Sequence, residues 1–280
     1  MKNRIRFIIR KVLYLHPFVK KIFIKLKFNP VFSGWGMSTE HYPPWDSKSA
    51  PDHNSQEFLE IHTKIISEAR DKKLKSLQFF EYNTEDILNE VMWRHLIIFW
   101  SVRQAYNNTS SLVNDDVNFV ECGVCDGVGL RFALESLREK KNYKAFAYDA
   151  WEAMRDDLFL DSERGKVQDY SQISLENTKN NLKMFSDKVV FIKGYIPESL
   201  LSEHSPNHLS WLHIDLNSAK PTRDALLFFY DKVLPGGILL FDDYGWIGFV
   251  DSKRVIDEFF QDKEGYLLPL PTGQGIYYKR

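Results

Sequence analysis

From residue 118 to the end of the chain, short apolar runs alternate with longer stretches whose apolar residues recur at three and four positions. Few architectures accept that alternation: it builds βαβ units around a mostly parallel sheet. The spacing predicts strands over 118–123, 145–149, 189–193, 209–214 and 237–241, and helices over 128–140, 171–185, 221–233 and 251–262. The ending differs. Tyr266–Pro271, the turn Thr272-Gly273-Gln274-Gly275 and Ile276–Arg280 read as two strands joined by a hairpin-like connection.

Upstream, residues 55–75 and 84–106 have helical periodicity, with Trp93 and Trp100 expected to face the core. Residues 1–28 mix apolar and basic side chains at helix-like spacing, and Pro17 breaks them into two short helices. Residues 29–54, rich in Pro, Gly, Ser and aromatics, form a loop that is either a lid or a linker. The chain thus divides into a basic segment with a lid-like loop, 1–54, and a single large α/β domain, 55–280. That domain comprises a helical cap over 55–110 and a core over 111–280.

The formal charge of -1 conceals an asymmetry: residues 1–39 hold nine Lys or Arg and no acid, leaving 28 basic against 38 acidic residues beyond them. Charges interrupt every apolar run of that segment, so neither a membrane span nor a signal-peptide core is expected, and the chain reads as cytoplasmic. Basic charge alternating with Phe, Ile, Leu and Val over 1–28 suits peripheral contact with an anionic membrane face. It equally suits a helix that packs on the domain or forms a homo-oligomer. The near-neutral total gives no reason to expect nucleic acid as a partner. Cys122 and Cys125 are the only cysteines; their Cys-x-x-Cys spacing permits a redox pair, but they lie where a strand passes into a glycine loop.

In that loop, Gly123, Val124, Cys125, Asp126, Gly127, Val128 and Gly129 give a ligand room to approach backbone. The Gly-x-Gly-x-x-Gly spacing of dinucleotide sites is missing. Asp149 ends the next strand, where such sheets place a carboxylate that accepts ribose hydroxyls. Glu121, at the end of the first strand, is a buried carboxylate in need of a partner; its plainer readings are a cap or a surface acid.

Asp215 closes the strand Leu209–Ile214, and Asp242 and Asp243 close the strand Gly237–Phe241. Three hard oxygen ligands at the carboxyl ends of neighbouring strands suit magnesium or manganese, and without a cation they would repel one another. The plainer reading of the tandem aspartates is a turn cap.

Six collinear motifs, ECGVCDGVG (121–129), YDAWEAM (148–154), VVFIKGYIPESL (189–200), LHIDLNSAKPTRDAL (212–226), LPGGILLFDDY (234–244) and GQGIYYKR (273–280), together resemble the macrocin and mycinamicin sugar O-methyltransferases of class I. The similarity runs from about residue 88 to 280. The antiparallel ending fits that Rossmann-like class better than a dinucleotide dehydrogenase. The resemblance implies S-adenosylmethionine (SAM) as donor, a divalent metal and a sugar hydroxyl as acceptor, on a small molecule or glycan. It places Glu121, Gly123, Val124, Asp126, Gly127, Gly129, Asp149, Ala150 and Trp151 around the cofactor, Gly194 and Tyr195 near its adenine, and residues 150–175 at the acceptor pocket. One departure stands out: relatives carry Asp-Gly-Asp where this chain has Asp215-Leu216-Asn217. Asn217 cannot act as a base, so Asp215, His213 and Lys220 are the candidate catalytic groups, the last two having plain alternatives as a strand histidine and a solvated lysine. A catechol or other vicinal diol is the rival acceptor, and a noncatalytic SAM-binding protein the rival class.

Overall fold

The computed structural model describes residues 53–75, 85–164 and 170–280, all within the compact unit Trp45–Arg280. The expectations for the helices and loop of 1–52, membrane contact included, lie outside the described residues.

Among the described residues, two helices, α1 (His53–Asp71) and α2 (Glu85–Thr109), precede a seven-stranded sheet. Its strands are β1 (Val117–Cys122), β2 (Tyr143–Asp149), β3 (Val189–Lys193), β4 (Leu209–Ile214), β5 (Val233–Phe241), β6 (Leu267–Pro269) and β7 (Gly275–Tyr278). Helices α3 (Val128–Ser136), α4 (Leu175–Asn181), α5 (Ala219–Phe229) and α6 (Val250–Phe260) fall between them. The order is β3-β2-β1-β4-β5-β7-β6, parallel through β5 and antiparallel for the β5–β7 and β7–β6 pairs. This is the Rossmann-like sheet expected from the alternation, with the hairpin ending in place.

Alternation along the strands sorts the core into two layers. Phe119, Ala145, Ala147, Trp211, Ile238 and Leu240 pack with α1, α2 and α3 on one face. Val120, Phe146, Tyr148, Leu212, Leu239 and Phe241 pack with α5 and α6 on the other. All six residues of β1 are buried, because strands flank it on both sides and helices cover both faces.

Trp100 departs from expectation, being 45% exposed. The buried residues of α2 include Met92, His95, Ile98, Phe99, Ser101, Val102, Ala105 and Thr109, spaced mainly by three and four, which leaves Trp100 outside them. The helix expected over 171–185 is also shorter. Ser174 caps α4, its Oγ accepting from the Asn177 amide at 3.2 Å, and a separate turn at Lys183–Phe185 follows. No described helix is long and apolar enough to cross a membrane.

Candidate active site

The site lies at the carboxyl ends of the central strands. The first residue past β1, Gly123, has φ +88° and runs so close to β4 that a Cβ there would stand 1.9 Å from the Asp215 carbonyl oxygen. Only glycine meets both conditions. The following backbone is drawn to Asp149: the amides of Val124 and Cys125 each donate to Oδ2 at 2.8 Å, and the amide of Trp151 to Oδ1 at 2.6 Å. Burial pushes the Asp149 carboxyl up, and those amide bonds work against the push. Trp151 fastens the loop from outside, its indole N–H reaching the Cys125 carbonyl and Thr178 Oγ1, each at 2.9 Å. Asn181 donates to the Asp126 carbonyl at 2.9 Å.

Gly127, at φ +87°, opens α3, and Gly129 lies against Glu121, where a Cβ would meet Oε1 at 2.9 Å. At the end of β3, Gly194 donates to the Asp149 carbonyl at 2.9 Å, and the Tyr195 hydroxyl to that of Ala153 at 2.6 Å. The expected cofactor residues, half-buried Ala150 included, therefore line adjoining strand ends. Both cysteines are free, and burial pushes both thiols up. That is the opposite of what a reactive thiolate requires.

The second cluster is acidic. One carboxylate oxygen from each of Asp215, Asp242 and Asp243 lies within 4.8 Å of the others. Arg94, on α2, reaches into it: Nε donates to both oxygens of Asp242 at 2.9 Å, and Nη2 to Asp215 Oδ2 at 2.9 Å. Gln274 adds a bond to Asp242 Oδ1 at 3.1 Å. Burial opposes charge on Asp242, but Arg94 and His213 outweigh it and hold the carboxyl below its usual range. Burial and the Asp242 charge carry Asp215 up to about 7, against the pull of Arg94. Asp243 is raised well above the usual range by burial, then by Asp215 and Asp242, and its Oδ2 is buried without a hydrogen-bond partner.

His213 sits beneath this cluster, fully buried, with Nδ1 2.8 Å from Glu121 Oε1 and Nε2 3.5 Å from Asp242 Oδ1. Burial works against its proton, yet Asp242 and Glu121 push it up to about 10. It faces two carboxylates, Nε2 without a hydrogen-bond partner, and has no surface from which to take an acceptor's proton. Lys220 is exposed and donates to the Asp157 carbonyl at 2.7 Å. Asn217, held at φ +54°, donates to the Tyr170 hydroxyl at 3.1 Å and lies 3.4 Å from Asp215 Oδ1. The catalytic candidates therefore separate: Asp215 is in the cluster, His213 supports it from below, and Lys220 is spent on a loop carbonyl.

The family described as Macrocin-O-methyltransferase (TylF) matches residues 101–278, well over half of the chain. The chain belongs to that family. It is thus a SAM-dependent O-methyltransferase. Among solved structures, the O-methyltransferase NovP is similar at 20% identity and TM-score 0.59, over 67% of this chain and 80% of that one. The calicheamicin methyltransferase CalS11 is similar at 16% identity and TM-score 0.53, over 88% and 98%. At these identities the two likenesses speak for the fold. No curated protein matches the chain by sequence.

Three members of this macrocin-family site escape a reading of the sequence. Arg94 lies before the matched span, and its one signal is a lone arginine inside the apolar run Val91–Trp100. Gln274 sits in what reads as a plain turn. Glu163 is buried and caps α5, accepting from the Ala219 amide at 2.8 Å and from Ser218 Oγ at 3.1 Å. It ties the segment after β2 to the strand end that carries Asp215.

Proposed function

We propose that this enzyme transfers the methyl group of SAM to a hydroxyl of a sugar or sugar-containing metabolite, assisted by a divalent cation at Asp215, Asp242 and Asp243. The observation that carries the reading is the pair of orphaned buried oxygens near the ends of β1 and β5, the two strands that flank β4: Glu121 Oε2 and Asp243 Oδ2. A buried carboxylate oxygen without a partner is costly, and a bound positive group removes the cost. Glu121 fits the cationic amino end of SAM. Asp243, beside Asp215 and Asp242, fits a hard divalent ion.

The charge count agrees. Asp215, Asp242 and Asp243 formally carry three negative charges against one positive on Arg94, a deficit of the size a divalent ion supplies. Such an ion, when bound, lowers the cost of forming alkoxide from alcohol. The protein's share is placement: the amide-bound Asp149 and the glycine loop orient the donor, and the aspartates orient the acceptor for in-line displacement. Asn217 offers a hydrogen bond where relatives offer a carboxylate. Proton removal then falls to the carboxylates themselves, Asp215 among them. The sugar assignment is supported by the resemblance to sugar O-methyltransferases. Methyl transfer from labelled SAM to a panel of glycosides and catechols, with and without chelator, tests it, and turnover confined to catechols would refute the sugar acceptor.

A further inference from the structure

Arg94 neutralises the acidic cluster, and its position there is specific. Its Nη2 lies 2.9 Å from Asp215 Oδ2 and 2.8 Å from Asp242 Oδ2. One nitrogen thus bridges the ends of β4 and β5, which is what a divalent ion between those two aspartates would do. The guanidinium draws on the same lone pairs: through Nε and Nη2 it occupies both oxygens of Asp242 and one of Asp215. Asp243 Oδ2 is a buried oxygen of the cluster without a partner. The side chain is 27% exposed, so it has an open side toward which to withdraw.

Building on the metal reading above, we propose that Arg94 is a tethered counter-cation that competes with the divalent ion for Asp215 and Asp242. In the absence of the ion it holds the two strand ends together. When the ion binds, Nη2 gives up at least its Asp215 bond, because the ion and the guanidinium repel each other at that range while drawing on the same carboxylates. Arg94 thereby weakens ion binding and sets the concentration at which the site fills. A guanidinium suits the task, since its planar fork keeps a grip on Asp242 through Nε while Nη2 is displaced.

Manganese alone is the probe, with free ion counted by electron paramagnetic resonance in wild type, Arg94→Gln and Arg94→Lys, each checked for fold by circular dichroism and for SAM binding by calorimetry. Competition requires Arg94→Gln to bind manganese more tightly, by about tenfold or more, because a unit charge near the ion is removed. Arg94→Lys, which keeps the charge, should stay closer to wild type. Equal affinity in Arg94→Gln and wild type would overturn the inference while leaving the metal site standing, and so would weaker binding, which would make Arg94 an organiser of the ligands. Absence of binding in every protein, with SAM still bound, would remove the metal reading itself and this inference with it. Should Arg94→Gln fail to fold, the wild type answers through arginine Nη–H resonances during a magnesium titration, those absent in Arg94→Lys being those of Arg94. A shift with faster solvent exchange supports competition, and an unmoved resonance overturns it.

Discussion

Glu121 and His213 are direct partners in the register of β1 and β4, and the imidazole Nδ1 meets Glu121 Oε1 at 2.8 Å with both side chains almost wholly buried. Desolvation raises the Glu121 carboxyl, and the His213 bond opposes it. The pair therefore stands only as a pair. Replacing His213 by Gln should destabilise the fold by about 3 kcal/mol, since it leaves a buried acid without its counter-charge. Urea denaturation measures this, and an unchanged midpoint would mean that the imidazole carries no charge.

Glu121→Gln addresses the other oxygen. If Oε2 receives the amino end of SAM, losing a charge-assisted bond of about 2 kcal/mol should weaken SAM binding by about thirtyfold. Calorimetry at fixed pH decides it. Equal affinities would leave Oε2 an orphan with no ligand to explain it.

Asp149 takes three backbone N–H bonds, so Asp149→Ala removes the anchor of the glycine loop as well as any bond to ribose. SAM affinity should fall by more than about tenfold, each lost bond to a charged acceptor being worth about 1.5 kcal/mol or more. Asp149→Asn, which can still accept from some of the amides, should fall less. A variant that folds and binds SAM normally would show that the loop holds its shape unaided.

Chelation should abolish turnover and leave SAM binding largely intact, because donor and ion draw on different side chains. Asp215→Asn and Asp243→Asn should behave likewise, whereas Asp262→Ala, on an exposed turn, should change little. Full activity in a metal-free preparation verified by elemental analysis would return the three aspartates to electrostatic roles.

What the sequence disclosed follows from the range of the interactions involved. Strand ends, glycine turns and the tandem aspartates are local signals, and all seven strands lie within a few residues of their expected positions. Trp100 was misplaced because a helix apolar on more than one side, as α2 is around Ile97–Trp100, does not declare which stripe is buried. His213 stays open between a base and a plain strand histidine in the sequence because its two partners come from other strands, Glu121 from β1 and Asp242 from the end of β5. Arg94 reaches carboxylates 121 and 148 residues away in sequence, and no spacing rule connects them. Local chemistry located the site, while the charges that tune it come from chain distant in sequence.

His62 gives the last test, one of pH. It lies on α1 among Phe58, Phe132 and His95, with ring centroids 5.4 to 5.6 Å away, and its Nε2 has no hydrogen-bond partner. Burial lowers its pKa from 6.5 to about 4. Above pH 6.5 the imidazole is neutral whether the chain is folded or not, and it contributes no pH dependence. As pH falls below that value the unfolded chain takes up a proton that the folded one refuses, so stability is lost until about pH 4. The full depression corresponds to about 3 kcal/mol. Asp149, Asp215, Asp243 and Glu121, with raised values, bind protons in the folded state and push the other way. The wild-type curve alone is therefore mixed, and the difference from His62→Phe reports His62 together with its effect on His95, which burial and His62 both push down. Phenylalanine suits the aromatic surroundings and cannot titrate, so the variant should gain on the wild type steadily between pH 6.5 and 4 in urea denaturation. Parallel curves through that interval would show that His62 reaches water in the folded protein.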